Sequence, residues 1–361
     1  MRFKVHNIVD SLAPVNFGIW NAAINTAPAL LQNHQIASAI WYPATTDQGA
    51  DIHPLVDKRP LQSTGLKELK KIAETLNPKT DIIVTHGCWR YPTAWGAWLR
   101  SRGFVWIYVP HGMLEPWSLE QKKWKKKLFF SFSEGPKAKR ASGIRAVGRP
   151  EKANLAPHFP KAVLIANGSN PSRVLPAKPE RPLAFLYLSR LHEKKRPLQL
   201  VQAWQASSLA TNPTMKLQIV GPDDGERTKI ESALASQQGS NIELHSAIFG
   251  TQKAGLLQQS HFFVLPSLSE GFPTSVVEAL GEGLIPIISQ GCNFPEVFEE
   301  GLAIDSGVEV ETIKQALEAV TALSQAQIME QSAAARQFAI ANYSLETIAR
   351  HQAYWYASFL K

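Results

Sequence analysis

"FFVLPSLSEGFPTSVVEAL" (262–280) begins as a strand, breaks at a proline and resumes as a helix, with Glu270 and Glu278 eight positions apart. The apolar run 262–266 has the length and composition of a buried strand. In one unbroken helix the two carboxylates would stand about 12 Å apart, too far for joint work on one small group. Pro273 fits the first helical position, where its missing N–H costs nothing, and "TSVVEALGEG" continues as a helix closing near Gly281 or Gly283. That leaves Phe272 as N-cap with no side-chain acceptor, so the N–H groups of Thr274, Ser275 and Val276 need a partner. A helix start attracts anions, and Gly271 lets one approach the backbone. The expectation is a diphosphate seat flanked by two carboxylates that accept hydrogen bonds from neutral hydroxyls, as on sugars.

The same strand-then-helix alternation runs through the whole chain. Upstream it predicts strands at 3–9, 36–42, 81–86, 104–110 and 162–166. Downstream they fall at 183–189, 215–221, 241–245, 262–266 and 285–289. Between the two sets, 167–182 holds four prolines and no apolar period, which marks a linker. Buried strands alternating with helices imply parallel sheets. The prediction is two doubly wound α/β domains, 1–168 and 169–344, with a Trp- and Tyr-rich helix in 345–361 returning to the first.

The 361 residues are enough for two cores, and 44% hydrophobic with 19% charged residues is a globular composition. Cys88 and Cys292 are too far apart in sequence to suggest a disulfide framework, so a reducing, cytoplasmic setting is expected. Neither a signal-peptide core nor an 18-residue apolar run is present. Charge is uneven. Residues 1–165 carry 23 basic and 11 acidic side chains, net +12, whereas 166–361 carry 15 and 19, net −4. The two halves therefore face different surroundings.

These features resemble the family 4 (group 1) glycosyltransferases of the GT-B fold, whose two Rossmann-like domains face each other across a cleft. The likeness rests on "SLSEGFPTSVVEAL", "LSRLHEKK" (188–195) and "GCNFPEV" (291–297). It implies a retaining, metal-independent hexosyl transfer from a nucleotide-diphosphate sugar to a glycan or lipid-linked glycan in polysaccharide assembly. No cofactor or metal is expected, and the absence of Asp-x-Asp fits that. UDP-glucose is the favoured donor and GDP-mannose the alternative.

By the same resemblance Arg190 and Lys195 hold the donor diphosphate and Glu278 the ribose. Glu270 meets sugar hydroxyls, and Gly271, Phe272, Pro273 and Thr274 line the phosphates. His111, in "VPHGMLEPW" (109–117), contacts the donor sugar, whereas His86 is structural or acceptor-lining. Ile248 lies beside the base, and Gly18 in the first loop approaches the donor phosphate. Three positions depart from the family pattern. Gly18 stands alone where a glycine pair is common, Arg196-Pro197 follows Lys195 where a glycine is common, and Ser246 replaces a frequent glycine.

"WSLEQKKWKKKLFF" (117–130) places Trp117, Trp124 and Leu128 on one helical stripe among five lysines. Two readings stand: a peripheral membrane contact reaching a lipid-linked acceptor, or tryptophans facing the core under a solvated basic face. A nucleic-acid-binding protein is the non-enzyme alternative, but no RNA- or DNA-binding signature accompanies the basic half. A GT-B epimerase is the enzymatic one; a phosphorylase would need a pyridoxal-binding lysine that cannot be assigned.

Overall fold

The computed structural model describes residues 3–120, 123–174, 178–236 and 241–360. The chain divides into two compact units, Met1–Gly168 with Ser344–Lys361, and Ser169–Tyr343.

The first unit is built on seven parallel strands: β1 (Lys4–Ile8), β2 (Ala37–Pro43), β3 (Val56–Leu61), β4 (Asp81–His86), β5 (Val105–Val109), β6 (Gly143–Ala146) and β7 (Val163–Leu164). Their order is β3-β2-β1-β4-β5-β6-β7, so the winding reverses between β1 and β4. Ligands of open α/β sheets gather beyond the carboxyl ends of strands at such a reversal. The sheet's middle is apolar on both faces: Ile82, Ile83, Val84, Ile107 and Val109 are all fully buried. Trp106 lies over the helix Tyr91–Arg100 and donates its indole N–H to Thr85 Oγ1 at 2.9 Å. The helix comes that close because position 96 is glycine; a Cβ there would sit 2.1 Å from the Trp106 nitrogen.

The helix Leu345–Ala357 belongs to this unit. Ser344 caps it by accepting from the Thr347 N–H. Buried Thr26 Oγ1 donates to Gln352 Oε1 at 2.7 Å, and the rings of Trp355 and Phe359 rest on Gly143.

The second unit has six parallel strands: β8 (Leu183–Leu188), β9 (Met215–Val220), β10 (Ile242–His245), β11 (Phe262–Leu265), β12 (Ile285–Ile288) and β13 (Ile304–Asp305). The order β10-β9-β8-β11-β12-β13 reverses between β8 and β11. Phe185 and Phe262 stack across those two strands at 4.7 Å, and Trp204 meets Phe185 edge-on at 5.0 Å. Where the unit begins and ends, the Ser169 N–H donates to Tyr343 O at 2.9 Å.

Three strands went unpredicted. β3, "VDKRPL", is an edge strand whose middle residues face solvent, so it lacks apolar alternation and tolerates a proline. β6 has only four residues and buries an arginine, and β13 has two. The linker expected over 167–182 includes 175–177, which lie outside the described residues, as do Gln121 and Lys122 of the basic segment.

Candidate functional site

In the second unit the loops that follow β8 and β11, the two strands at the reversal, come together. The β8 loop is clamped from both sides. The Ser189 N–H donates to Val220 O at 3.1 Å, the Leu191 N–H to Pro222 O at 2.9 Å, and the Tyr187 hydroxyl to Arg190 O at 2.9 Å. Leu191 is fully buried and anchors the turn. The Arg190 guanidinium emerges beside it and donates to Asp224 Oδ2 at 2.6 Å, with both side chains over a third exposed. Such a surface pair contributes about 0–1 kcal/mol, so Arg190 is readily turned toward a stronger anion.

This crossing leaves no room at Gly221, where a Cβ would lie 1.8 Å from Ser189 O. Gly221→Ala is therefore expected to lose about 2–3 kcal/mol of stability and to shift the Arg190 loop. Melting temperature and nucleotide affinity should fall together; a variant that melts and binds as the parent does would show that the crossing has slack.

Lys195 ends a short 3-10 turn, Glu193–Lys195, capped by His192 Nδ1 accepting from the Lys194 N–H at 3.0 Å. Arg196 then adopts the left-handed conformation, φ 58°. This explains why a glycine is favoured after the lysine. Arginine costs about 1 kcal/mol in that conformation. It is held there by donating to Val308 O at 3.1 Å and Glu309 Oε1 at 2.8 Å, and Pro197 starts the next helix normally.

The β11 loop is laced to this turn, because the Leu268 N–H donates to Lys194 O at 2.8 Å. Glu270 follows. Its N–H donates to Gly291 O at 2.8 Å, and its carbonyl accepts from the Asn293 side chain. A Cβ at Gly291 would meet Ser267 O at 2.3 Å. The sequence motif "GCNFPEV" thus serves to hold the Glu270 loop. The result is a close ion pair: Lys195 Nζ donates to both carboxylate oxygens of Glu270, with side-chain exposures of 11% and 9%. Cys292 lies buried beneath, its thiol pushed up to about 12 by burial and then by the Glu270 charge.

The helix expected from Pro273 spans Thr274–Gly281, with Pro273 as its N-cap at ψ 73°. Phe272 is therefore not the cap; its ring packs 5.7 Å from Phe294 and 6.0 Å from Tyr343. Two of the three N–H groups expected to seek a partner have one in the chain: Thr274 donates to Phe272 O at 3.0 Å and Val276 to Pro273 O at 2.9 Å. Among the described residues the Ser275 N–H has none. Of the three donors expected to receive an anion, one is therefore left, because the proline shifts the first helical residue by one and the preceding turn folds back on itself.

Glu278, in the helix's second turn, pairs with Lys253 at 2.7 Å, each about a fifth exposed. Ile248 is half-buried in the loop after β10, next to exposed Ser246. Lys195 and Glu270 are thus brought into contact, while Arg190 and Glu278 each end on another partner. Asp224 and Lys253, those partners, were missed, since an ion pair across a fold leaves no spacing signal in the chain.

In the first unit His111 and Gly112 follow β5 with φ of 54° and 73°. His111 Nε2 lies 2.8 Å from His86 Nδ1, and His86 Nε2 lies 3.0 Å from Asn7 Oδ1. The Asn7 amide in turn donates to Ala39 O at 3.3 Å. That carbonyl fixes every proton in the row. Asn7 presents its oxygen, so His86 carries a proton on Nε2 and accepts on Nδ1, and His111 donates from Nε2. His111 Nδ1 is left as the acceptor. His86 is thereby a positioning residue for His111, and Asn7, which sequence reading passed over, orients both.

Burial, and then the Arg145 charge, pushes His111 down to about 3; burial, His111 and Arg145 hold His86 well below the usual range. Arg145 is itself buried and donates to Ile165 O and Ala166 O at 2.7 Å each and to Asn167 Oδ1 at 3.1 Å. Glu151 straps the His111 loop, accepting from the Gly112 N–H and, at 2.7 Å, from the Val147 N–H. Burial raises its carboxyl to about 7, with those two donors opposing.

Gly18 is not in a loop. It lies in the first turn of the helix Phe17–Ile24, exposed, with open space where a Cβ would be. In the basic segment Trp124 is 76% exposed, and Leu128, Phe129 and Phe132 are exposed with it, so of the two readings the core-facing one does not hold for Trp124. The helix Lys123–Phe129 buries no side chain fully. Among the described residues no cluster of His, Cys, Asp and Glu could hold a metal, and no helix is long and apolar enough to cross a membrane.

Two parallel-sheet α/β units of this kind define a GT-B protein, and solved structures agree. Sucrose-phosphate synthase from Thermosynechococcus elongatus superposes with a TM-score of 0.77 at 18% identity, covering 99% of both chains. HepE of Anabaena, in complex with UDP and glucose, gives 0.75 at 15% identity, covering 99% of this chain and 100% of that one. The model for glycosyl transferases group 1 matches residues 171–339, and that for a glycosyl transferase 4-like domain matches 36–168. The chain belongs to the group 1, family 4 glycosyltransferases. Among curated proteins it is 32% identical over 146 residues to the GDP-mannose:cellobiosyl-diphosphopolyprenol alpha-mannosyltransferase of Xanthomonas campestris, a match covering 39% of this chain and only 37% of that relative's length.

Proposed function

We propose that this protein transfers a hexose from a nucleoside-diphosphate sugar to a lipid-diphosphate-linked glycan, retaining the anomeric configuration and using no metal. The observation that carries this reading is the Lys195–Glu270 pair on adjoining loops at the β8/β11 reversal, beside a helix start with an unmet N–H. Lys195 and Arg190 hold the diphosphate, the Ser275 N–H adds a donor, Glu270 takes sugar hydroxyls, and Glu278 accepts from the ribose. In the first unit His111 is neutral, and among the described residues its Nδ1 is left to accept from a hydroxyl. In the transfer the acceptor oxygen bonds to the anomeric carbon on the face from which the diphosphate leaves. The carbon–oxygen bond to phosphate breaks, and the departing phosphate oxygen takes the acceptor's proton. The two cations stabilise the charge that develops there.

The donor we favour is GDP-mannose, with UDP-glucose second. The Xanthomonas relatives that resemble this chain in sequence are named for GDP-mannose and a diphosphopolyprenol acceptor, whereas likeness to HepE extends to the fold alone. Calorimetric titration with GDP, UDP and ADP, with and without EDTA, tests this. Selective, EDTA-insensitive binding of GDP is expected. Selective UDP binding would restore UDP-glucose, EDTA-sensitive binding would exclude the metal-free reading, and binding of none would remove all three nucleotides as the donor's carrier.

The exposed Trp124, Leu128, Phe129 and Phe132 among Lys123, Lys125 and Lys127 fit peripheral attachment to an anionic bilayer. Liposome binding should be salt-sensitive and weaken with Trp124→Ser; no binding at low salt would rule the attachment out.

A further inference from the structure

Beyond β5 and β6 a carboxylate stands where two strand ends need a tie. The register between those strands ends at Tyr108 opposite Ile144, short of the loop that begins with His111. Glu151 spans the gap. It sits in the first turn of the helix Arg149–Leu155 and is 1% exposed. One carboxylate oxygen accepts from the Val147 N–H at 2.7 Å, the other from the Gly112 N–H. From the same helix the Asn154 amide donates to Glu115 Oε2, so the helix holds the loop at two points.

A carboxylate buried this fully is ordinarily paired with a cation, because isolated burial is costly. Among the described residues Glu151 makes no ion pair, and its charge is met by two backbone N–H groups instead. Glutamine has the same shape but a single acceptor oxygen, and its amide nitrogen would face an N–H. A protonated carboxyl likewise keeps one strong acceptor. Either way one donor loses its partner. Val147 belongs to the same helix start as Glu151, four residues before it. Gly112 comes instead from a turn in which His111 and Gly112 both have positive φ, 54° and 73°. That conformation costs a histidine about 1 kcal/mol, so the Gly112 side is the one to yield.

We propose that Glu151 is a positioning residue for His111. Its ionised carboxylate fixes Gly112 and with it the left-handed turn that leaves His111 Nδ1 to accept; a proton on Glu151 releases that turn. The inference rests on the transferase reading above, in which His111 accepts from a hydroxyl. Glu115 and His111 in the loop, Arg145 on β6 and Cys88 after β4 are the titratable and charged groups that face Glu151. Burial, opposed by the two N–H donors, aided by the Glu115 charge and opposed by Arg145, brings its carboxyl to about 7. His111, at about 3, and Cys88, held well above the usual thiol range, keep one form near neutrality. Acidification through about 7 therefore loosens the turn. Stability moves the other way, because the folded value lies above the ordinary 4.5. This group's contribution is complete below about 4.5 and is lost as pH rises through about 7, so the acid loss of turnover is not unfolding at this residue.

The first test uses the parent protein. In the full chain, isotope-labelled at histidine carbonyls and glycine nitrogens, the two His-Gly steps of the sequence, His86-Gly87 and His111-Gly112, give the two linked amide signals in NMR. The Gly87 N–H donates to Val109 O at 2.8 Å and serves as the control. The Gly112 signal should move upfield as pH falls through about 7, while that of Gly87 holds still. Release of GDP from GDP-mannose, with octyl cellobiosyl diphosphate as acceptor, should fall about tenfold per pH unit below that point, the slope of a single proton. In Glu151→Gln the Gly112 signal should keep its acid position at every pH, and turnover should be low and flat. A Gly112 signal that does not titrate, or that titrates equally in the variant, overturns the proposal, as does a titrating signal with turnover indifferent to pH. Turnover of no sugar nucleotide at any pH defeats the transferase reading instead, and the Gly112 titration still decides whether the strap opens.

Discussion

Lys195→Met is expected to lower turnover about a thousandfold with both substrates saturating, the scale of losing one preorganised charge at a developing oxyanion. The variant has a second effect that must be separated from the first. Glu270 is nearly buried and both of its oxygens lie on Lys195, so removing the ammonium strands a carboxylate and should lower the melting temperature. Lys195→Met/Glu270→Gln removes the stranded charge, and its melting temperature should recover. Its turnover should not. Near-parental turnover in the double variant would mean that Lys195 only neutralises Glu270.

Arg145→Met should cost about 4–5 kcal/mol, because the three oxygens that accept from the guanidinium lose their donor inside the fold. In a unit of this size that is a fall of about 10 °C or more in melting temperature. The same change should be visible in the histidines. With its neighbouring charge gone, His111 should titrate above its present value of about 3, as followed by the ring-proton shifts of His111 in NMR. In the parent the imidazole stays neutral when folded but protonates near pH 6.5 when unfolded. Stability from this group is therefore complete above about 6.5 and drains away as pH falls toward 3. The variant should lose less over that window. An unchanged titration would mean that desolvation alone sets the histidine.

The β11 stretch was legible because buried parallel strands are continuous apolar runs, and 262–266 could hardly be anything else. Glu270 was legible as a carboxylate in the loop after such a strand, whereas Lys195 was singled out by the resemblance that "LSRLHEKK" carries. What the sequence hid was pairing. Nothing in the spacing of residues 195 and 270, or of 253 and 278, says which charges meet, since that depends on strand order rather than on period. The helix start was misjudged by one residue, because proline is compatible with both the cap and the first helical position, and only ψ separates them. Trp124 was ambiguous for a similar reason: a stripe at helical spacing reads the same whether it faces a core or a bilayer. Asn7 was invisible, lying inside a strand with no motif around it; its meaning comes from the two histidines it orients.

The bond between Ser169 and Tyr343 has a practical consequence. The first and last residues of the second unit are hydrogen-bonded neighbours, so residues 169–343 form a cassette that starts and stops at adjacent points. A gene fragment with those limits could be exchanged between relatives through two adjacent splices without re-routing the chain. On the function proposed above, sugar-donor preference is expected to travel with the fragment, which carries Arg190, Lys195, Glu270 and Glu278.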